Sequence, residues 1–471
     1  MAAAQGCGPP RGGSRFPRAM QRARCVALVC ALAWLGFVPP VTAKDTSNPA
    51  GAIVTRFGAN APVRAPRPPV APGKSYTGIT PSQPLNMAKS VPPDPSAAAA
   101  SNGFGPAVDW SLRSRAEQRF EVDTNRGLET PSDGTIYGSR TRLSTTLEAE
   151  TKRSLVTTTL GFSGAVFGGP GDIDDATRLN PRLTSDLRYD GKDYELTGSL
   201  SASTNSTSVT QLEDTGITDV ESTQITVIYD SELSWRLNPR STLFLGTLGR
   251  VVDFTDDVAG LNPTRTFGAS AGWAHSINSL TTLRFAGNLR YFAADNPAEN
   301  RSQVFDFTVA LNQRRTPRHR FGLRAGAVAV RVTEDGPGGE GTQFQTGGTG
   351  ALTFNYTNDQ LQADLSATQQ VDPSSTGELQ SFTRIAGSVG YRLTRNNRVS
   401  ANLAYTRRAD LDGDGDNRQL ISFGPRYSYS LGRGTELGLG YLFRLSEESE
   451  DGTAIGHRFF LSLVHNLTLQ P

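Results

Sequence analysis

Cysteine is nearly absent from this 471-residue chain. The three that occur, Cys7, Cys25 and Cys30, all lie within the first thirty residues. Everything after residue 30 must therefore fold without disulfides, and an oxidising envelope compartment would suit such a chain. Methionine is equally scarce, with three residues in total.

Long apolar runs are also scarce, since the mean hydropathy is −0.37 and hydrophobic residues make up 37% of the chain. These values exclude a bundle of transmembrane helices. They do not exclude a transmembrane β-barrel, in which only every second strand residue has to be apolar. The length would suit two or three ordinary domains or one large barrel.

The one pronounced apolar run, Cys25–Val38, follows a basic leader and precedes Val41-Thr42-Ala43, which resembles a signal-peptidase cleavage pattern. We therefore interpret residues 1–43 as a signal peptide. The alternative, a retained transmembrane helix, is less favoured because the run is shorter than the ~20 residues of a span and ends at Pro39-Pro40. The basic residues of the leader are Arg11, Arg15, Arg18, Arg22 and Arg24.

Positive charge does not dominate the chain once this leader is set aside. The formal net charge is +2, and the leader contributes its arginines without any acidic residue, so the remainder is net negative. This balance gives no indication of nucleic-acid binding. Residues 44–108 are rich in Pro, Ala, Ser and Gly and lack a periodic apolar pattern. They are predicted to be a disordered periplasmic tether that could contact a periplasmic partner.

From Asp109 to the end of the chain, apolar and polar residues alternate with a period of two, as in Leu437, Leu439 and Tyr441 against Glu436 and Arg444. This period is typical of strands with one apolar and one polar face. Short polar links alternate along the chain with longer, more acidic ones, one of them near 334–343. A soluble sandwich has no reason to separate loop lengths in this way, whereas an outer-membrane barrel does.

The fold class predicted for 109–471 is therefore all-β, a transmembrane antiparallel β-barrel of about 18 strands, with 16 as the alternative count. Unpaired backbone groups are costly in hydrocarbon, so the sheet must close on itself. The final segment, Gly456–Leu469, should pair with the segment around Trp110–Asp123. Its odd positions, including Phe459, Leu461 and Leu463, should then face lipid.

The opposite parity carries charged residues that would point into the barrel. A lumen at this strand number holds water, and facing rings of arginine and carboxylate would select permeants by charge. The alternative is a plain polar lining with ion-pair ladders between neighbouring strands. The lumen-lining candidates are Arg113, Arg115, Glu117, Arg119, Glu121, Arg140, Arg142, Asp230, Glu232, Arg236, Arg284, Arg290, Asp306, Arg384, Arg392, Arg426 and Arg444.

Aromatic residues of the outward parity often fall near predicted strand ends, where an interfacial girdle belongs. The candidates are Trp235, Trp273, Tyr356, Tyr391, Tyr405, Tyr427, Tyr429 and Tyr441. A single residue of this kind could be an ordinary strand aromatic, but the set favours a girdle.

Catalysis is not indicated. The four histidines, His275, His319, His457 and His465, lie at tight turns or on the outward parity, and no nucleophile, base and orienting group can be assembled from them. We expect no enzyme activity and no cofactor.

An acidic stretch at 410–417 begins like a calcium-binding loop, with Asp410, Asp412 and Asp414 as candidate ligands. The position of the bidentate carboxylate is held by Ile421, so an acidic hairpin tip is the stronger interpretation and a surface calcium site the weaker one.

The stretches "RSRAEQRFEVDTNRGLET" and "YGSRTRLSTTLEAETKRSLVTTTLGFSGAVF" and the amphipathic final strand resemble the porin-2-like class of proteobacterial outer-membrane β-barrels. The resemblance covers most of 109–471. It implies passive transport or a role in envelope export, and it brings no catalytic residues. Barrels of this class usually end on an aromatic residue that the assembly machinery recognises, whereas this chain ends Leu469-Gln470-Pro471.

The sequence thus predicts a bacterial outer-membrane protein that conducts ions or small hydrophilic solutes through a charged lumen. The alternative is a non-conducting anchor, or a component of a polysaccharide or polypeptide export system. The expected partners are the lipid bilayer, lipopolysaccharide and the barrel-assembly machinery.

Overall fold

The computed structural model describes residues 108–126, 128, 132, 134–169, 179–206, 222–255, 261–295, 301–336, 339–373, 379–410, 418–448 and 452–469. The predicted signal peptide and nearly all of the predicted tether lie outside these residues. So do Asp412, Asp414 and the side chain of Asp410. Within the described ranges, no helix is long and apolar enough to cross a membrane.

Eighteen strands form one sheet, as predicted. They are β1 (Asp109–Asp123), β2 (Ile136–Glu150), β3 (Ser154–Gly168), β4 (Asn180–Asp190), β5 (Tyr194–Ser206), β6 (Thr223–Asn238), β7 (Ser241–Phe254), β8 (Thr264–Ser276), β9 (Thr281–Ala294), β10 (Arg301–Gln313), β11 (His319–Gly336), β12 (Gly339–Thr357), β13 (Leu361–Pro373), β14 (Leu379–Arg392), β15 (Asn397–Asp410), β16 (Arg418–Gly432), β17 (Thr435–Glu448) and β18 (Gly452–Leu469).

Every strand pairs antiparallel with its neighbours in the sequence, and the last strand pairs with the first. The closing register runs from Leu112 opposite Leu469 to Asp123 opposite Arg458. This closure removes the sheet edge that would otherwise leave backbone groups unpaired in hydrocarbon. The terminal strand therefore completes the wall of the barrel.

The outer face of the closed sheet is apolar. On β18 the side chains of Phe459, Leu461 and Leu463 are about half exposed, whereas the intervening Ser462 and Val464 are buried. Large exposed apolar side chains recur on the same face of strands around the ring. An outward apolar band around a closed sheet is the surface that a bilayer covers.

The links between strands are tight at one end of the barrel and mostly longer at the other, where the β11–β12 and β17–β18 links are short exceptions. At the tight end, the β16–β17 turn places Arg433 at φ 48° and Gly434 at φ 79°, and both angles belong to the left-handed region that glycine adopts without strain. We call this end the tight-turn end and the other the long-loop end.

The predicted long loop near 334–343 is wrong. β11 continues to Gly336 and β12 begins at Gly339, and the two strands stay in register up to that pair. The glycines and acidic residues of this stretch led to the prediction of a loop. The strand period nevertheless continues on both strands: Val330 and Val332 point to the inner face of β11, and Phe344 points to the outer face of β12. The hairpin therefore extends through this stretch.

Pairing is incomplete at two boundaries of the described wall. β3 has no register with β4 beyond Ser163 opposite Asn180, and the gap between β12 and β13 is longer. β12 and β13 are in register only from Thr357 opposite Gln362 to Gly350 opposite Gln369. Beyond Gly350, β12 continues its pairing with β11, and β13 continues its pairing with β14 up to Pro373. The long-loop half of the β12–β13 boundary therefore lacks a register in the described structure.

Candidate functional site

The candidate site is the inner face of the barrel, which the strand period fills with polar and charged side chains. On β1 the inner face carries Arg113, Arg115, Glu117, Arg119 and Glu121, and the last three are buried. The remaining predicted lumen-lining residues also lie at inner-face positions of their strands, as their register shows: Arg140, Arg142, Asp230, Glu232, Arg236, Arg284, Arg290, Asp306, Arg384, Arg392, Arg426 and Arg444.

A cluster of charges sits beside the closing seam, at the long-loop end of β1, β17 and β18. The carboxylate of Asp123 accepts hydrogen bonds from Arg444 Nη2 at 2.8 Å and from Arg458 Nε at 2.7 Å. Arg444 also donates to the carbonyl oxygens of Asn125 and Arg126. Because Asp123 is 3% exposed, two cations and one anion share a site that little water reaches. We call these three side chains the seam clasp.

A second group of ion pairs continues the seam clasp along β1 and β2. Glu121 pairs with Arg119 on its own strand at 3.2 Å and with Arg140 on β2 at 3.6 Å. The guanidinium carbon of Arg119 lies 3.6 Å from the centre of the Phe460 ring, close enough for a cation–π interaction. These contacts hold the arginine side chains flat against the wall.

A separate cluster lies on β6 to β9, on the far side of the ring by strand order. Arg284 on β9 donates to Glu232 on β6 at 3.0 Å, and its guanidinium carbon lies 3.3 Å from the centre of the Phe244 ring. Ser234 donates to the other oxygen of the same carboxylate. The pair reaches across two intervening strands, β7 and β8, where small residues such as Ala274 leave room for the side chains.

The far-side cluster depends on the small size of Gly272, because a Cβ there would overlap the Phe244 ring and the carbonyl oxygen of Phe285. We expect Gly272→Val to lower the free energy of unfolding by about 1–3 kcal/mol through overpacking. Gly287→Val on the adjacent strand is the control, because a Cβ at Gly287 meets no atom within 4 Å. Urea unfolding of both variants measures the difference, and equal losses would contradict this account.

Other inner-face charges form shorter ladders. Arg188 pairs with Glu195 across β4 and β5 at 3.1 Å, and it also bonds Asp190 on its own strand. Asn288 on β9 donates to Asp306 on β10, and Arg290 lies 3.9 Å from the same carboxylate. Ladders between the same or neighbouring strands, the simpler of the two arrangements considered from the sequence, thus account for most of these pairs.

The two signs of charge are unevenly distributed around the inner face. From β14 through β18 to β2, arginine outnumbers carboxylate at the inner-face positions that the structure describes. The arginines are Arg113, Arg115, Arg119, Arg140, Arg142, Arg384, Arg392, Arg398, Arg408, Arg418, Arg426, Arg444 and Arg458. The acidic residues are Asp109, Glu117, Glu121, Asp123, Glu148, Glu150 and Glu436, with Asp410 and Glu448 at two further inner-face positions by register. This side of the barrel is therefore a basic wall.

The predicted girdle aromatics all lie on the outer face, but at different heights. The side chains near the tight-turn ends of their strands are Trp235, Trp273, Tyr356, Tyr391, Tyr427 and Tyr429. Tyr405 and Tyr441 lie closer to the middle of their strands, where they bond Gln419 and His457. Trp110, Tyr189 and Tyr194 occupy the tight-turn level too, although sequence reasoning did not single them out.

The four histidines lie apart from one another on the outer face. The Nδ1 atoms of His275, His319 and His465 bond the hydroxyls of Ser241, Thr316 and Thr435 near tight turns. In the described part of the chain, no group of three or more His, Cys, Asp and Glu side chains could hold a metal ion.

Several members of the site were not among the candidate residues, namely Arg188, Glu195, Phe244, Arg458 and Phe460. Strand parity alone places each of them on the inner face, so the signal was present in the sequence. What the sequence could not supply is the partner of each charge, since Arg284 and Glu232 belong to strands that are not adjacent.

No family model and no curated protein matches the sequence. Among solved structures, Pseudomonas aeruginosa OpdQ is 10% identical with a TM-score of 0.41, covering 77% of this chain and 99% of that one. Acinetobacter baumannii OccAB3 is 12% identical with a TM-score of 0.39, and the match covers 76% of this chain and 99% of that one. Pseudomonas aeruginosa OpdK with vanillate is 11% identical with a TM-score of 0.41, and the match covers 77% of this chain and 99% of that one. On its own geometry, a closed 18-stranded sheet with an apolar outer belt and a polar inner face, the chain is an outer-membrane β-barrel.

Proposed function

We propose that this barrel is a passive pore for small hydrophilic solutes and ions, with a preference for anions. The observation that carries the proposal is the basic wall. A wall with more arginine than carboxylate creates a positive potential, which raises the local concentration of anions and lowers that of cations. Charged rings and walls are the means by which channels without a moving gate discriminate among permeants.

The ion-pair ladders support the same function in a different way. Cation–π contacts such as that between Arg119 and Phe460 keep long side chains flat against the wall rather than extended across the interior. A charged side chain held in this way contributes its field without blocking the passage. The seam clasp has the same effect on Arg444 and Arg458.

Reconstitution in a planar bilayer tests the proposal. We expect discrete conductance steps at neutral pH, and under a potassium chloride gradient we expect a reversal potential whose sign corresponds to chloride permeating faster than potassium. A protein that inserts but stays silent would overturn the pore and favour the alternative, an anchor or export component. Conduction with cation preference would overturn the anion preference alone.

A further inference from the structure

The incomplete β12–β13 boundary adjoins an apolar groove on the outer face of the barrel. The groove has a volume of about 990 Å³, close to the upper end of the ~300–1,000 Å³ typical of small-molecule pockets. Its large side chains, Leu245, Leu289, Phe305 and Phe307, flank small ones, and it ends at Thr346 and Gly347 of β12. Both of these residues precede Gly350, the last residue of β12 that is in register with β13.

On the inner side of the same boundary lies an apolar patch. Val371 of β13 packs in a buried cluster with Val304 of β10 and with Val328 and Val330 of β11. The tip of β13 therefore lies on the inner side of the barrel wall, behind β12 as seen from the bilayer. Arg290 of β9 holds it there by donating to the carbonyl oxygen of Val371 at 3.2 Å. The structure describes two other buried apolar clusters, but this is the one beside the incomplete boundary, and its valines offer an apolar surface to a hydrocarbon chain.

We propose that the long-loop half of the β12–β13 boundary is a lateral portal, through which a single-chain amphiphile passes between the bilayer and the inner face. Backbone groups left unpaired in hydrocarbon are costly, so a boundary whose long-loop half already lacks a register separates with little further loss of pairing. The β3–β4 boundary has a shorter gap of this kind, but the groove and the valine cluster adjoin β12–β13. The groove is continuous with the apolar belt that acyl chains cover. It leads a hydrocarbon tail to the valine cluster, while a polar head meets Arg290, Asn288 and Asp306. The portal does not depend on ion conduction.

Chemical labelling tests the portal. In full-length protein with Cys7, Cys25 and Cys30 replaced by serine, single-cysteine variants Val371→Cys and Val330→Cys probe the inner valine cluster. The matched control is Val464→Cys, since Val464 is an equally buried inner-face valine on β18, where pairing is complete on both sides. Each variant, refolded in lipid vesicles, is reacted with N-dodecylmaleimide and with N-ethylmaleimide. The two reagents share a reactive head and differ only in the hydrocarbon tail.

We expect the ratio of dodecyl to ethyl labelling rates to be at least about tenfold higher at positions 371 and 330 than at 464, because the tail delivers the head through the groove. Adding Thr346→Trp, which fills the groove from outside, should remove this excess without changing the N-ethylmaleimide rate. The second inner position keeps the test decisive if one cysteine variant fails to fold. Equal ratios at the three positions, or no effect of Thr346→Trp, would overturn the portal.

Discussion

Replacing Asp123 with asparagine is expected to lower the free energy of unfolding of the barrel by about 3–5 kcal/mol. Asp123 is the only carboxylate bonded to both arginines of the seam clasp among the described residues. The side chains of Asp123 and Arg444 are almost fully buried, and that of Arg458 is largely buried. An amide can still accept one hydrogen bond, but it cannot neutralise the two buried cations. The cost is therefore that of uncompensated buried charge, which exceeds the value of a single lost hydrogen bond.

The measurement is urea unfolding in lipid vesicles, followed by the change in electrophoretic mobility of the folded barrel. Glu148→Gln is the matched control. Its partner Arg113 has a side chain that is 52% exposed, and the pair is 3.7 Å long. An exposed pair of this kind contributes about 0–1 kcal/mol. If the two substitutions cost the same, the seam clasp does not hold the closing strands together. Reduced stability of Asp123→Asn alone would locate the closing interaction in this cluster.

The closure itself could be predicted from the sequence because two independent signals agree. A strict period of two sets which residues face outward, and the alternation of short and long links sets the strand number. The final strand from Gly456 and the first strand from Trp110 each have one edge left without a sequence neighbour, and these two edges pair as expected. Both signals lie in short stretches of neighbouring residues, so they can be recognised without knowing which distant residues are in contact.

The departures from prediction come from non-local packing. Glycine and acidic residues at 334–343 favour a loop by composition, yet the register of β11 with β12 carries the ladder through them. The displacement of Val371 likewise depends on valines of β10 and β11, which are distant in sequence. No period in β13 distinguishes a strand that stays in the wall from one whose tip turns inward.

The site shows the same division. Parity assigns each charged residue to the inner face, but the pairing of charges depends on reach across the curved wall. Glu121 has its partners on β1 and β2, whereas Glu232 reaches β9 over a phenylalanine ring. The net positive charge of the basic wall follows from strand parity alone, because it requires only a count of the arginines and carboxylates at inner-face positions. The seam clasp could not be predicted in this way, since its residues are brought together only by the register in which β1 pairs with β18.

Reversing charge on the basic wall should reverse ion preference, and this is the largest functional effect we expect. Arg142, Arg384 and Arg392 lie on the inner face and are partly or fully accessible, so water solvates their replacements. Replacing all three with glutamate moves the wall by six unit charges. A unit charge about 4 Å from a permeant is worth ~1 kcal/mol in water, and salt screening reduces that value.

In planar bilayers at low salt, the triple glutamate variant is therefore expected to change the chloride-to-potassium permeability ratio by about tenfold, from above one to below one. The lysine versions of the same residues keep the charge and should keep the sign of the reversal potential. Arg331→Glu places one such reversal, two unit charges, on the outer face, where Arg331 lies against Phe344, and it should leave the ratio unaltered. An unchanged ratio in the triple glutamate variant would show that ions do not pass this wall. Equal shifts in the triple variant and Arg331→Glu would show that selectivity arises at the mouth of the barrel, because only there do inner-face and outer-face charges act on the same ions.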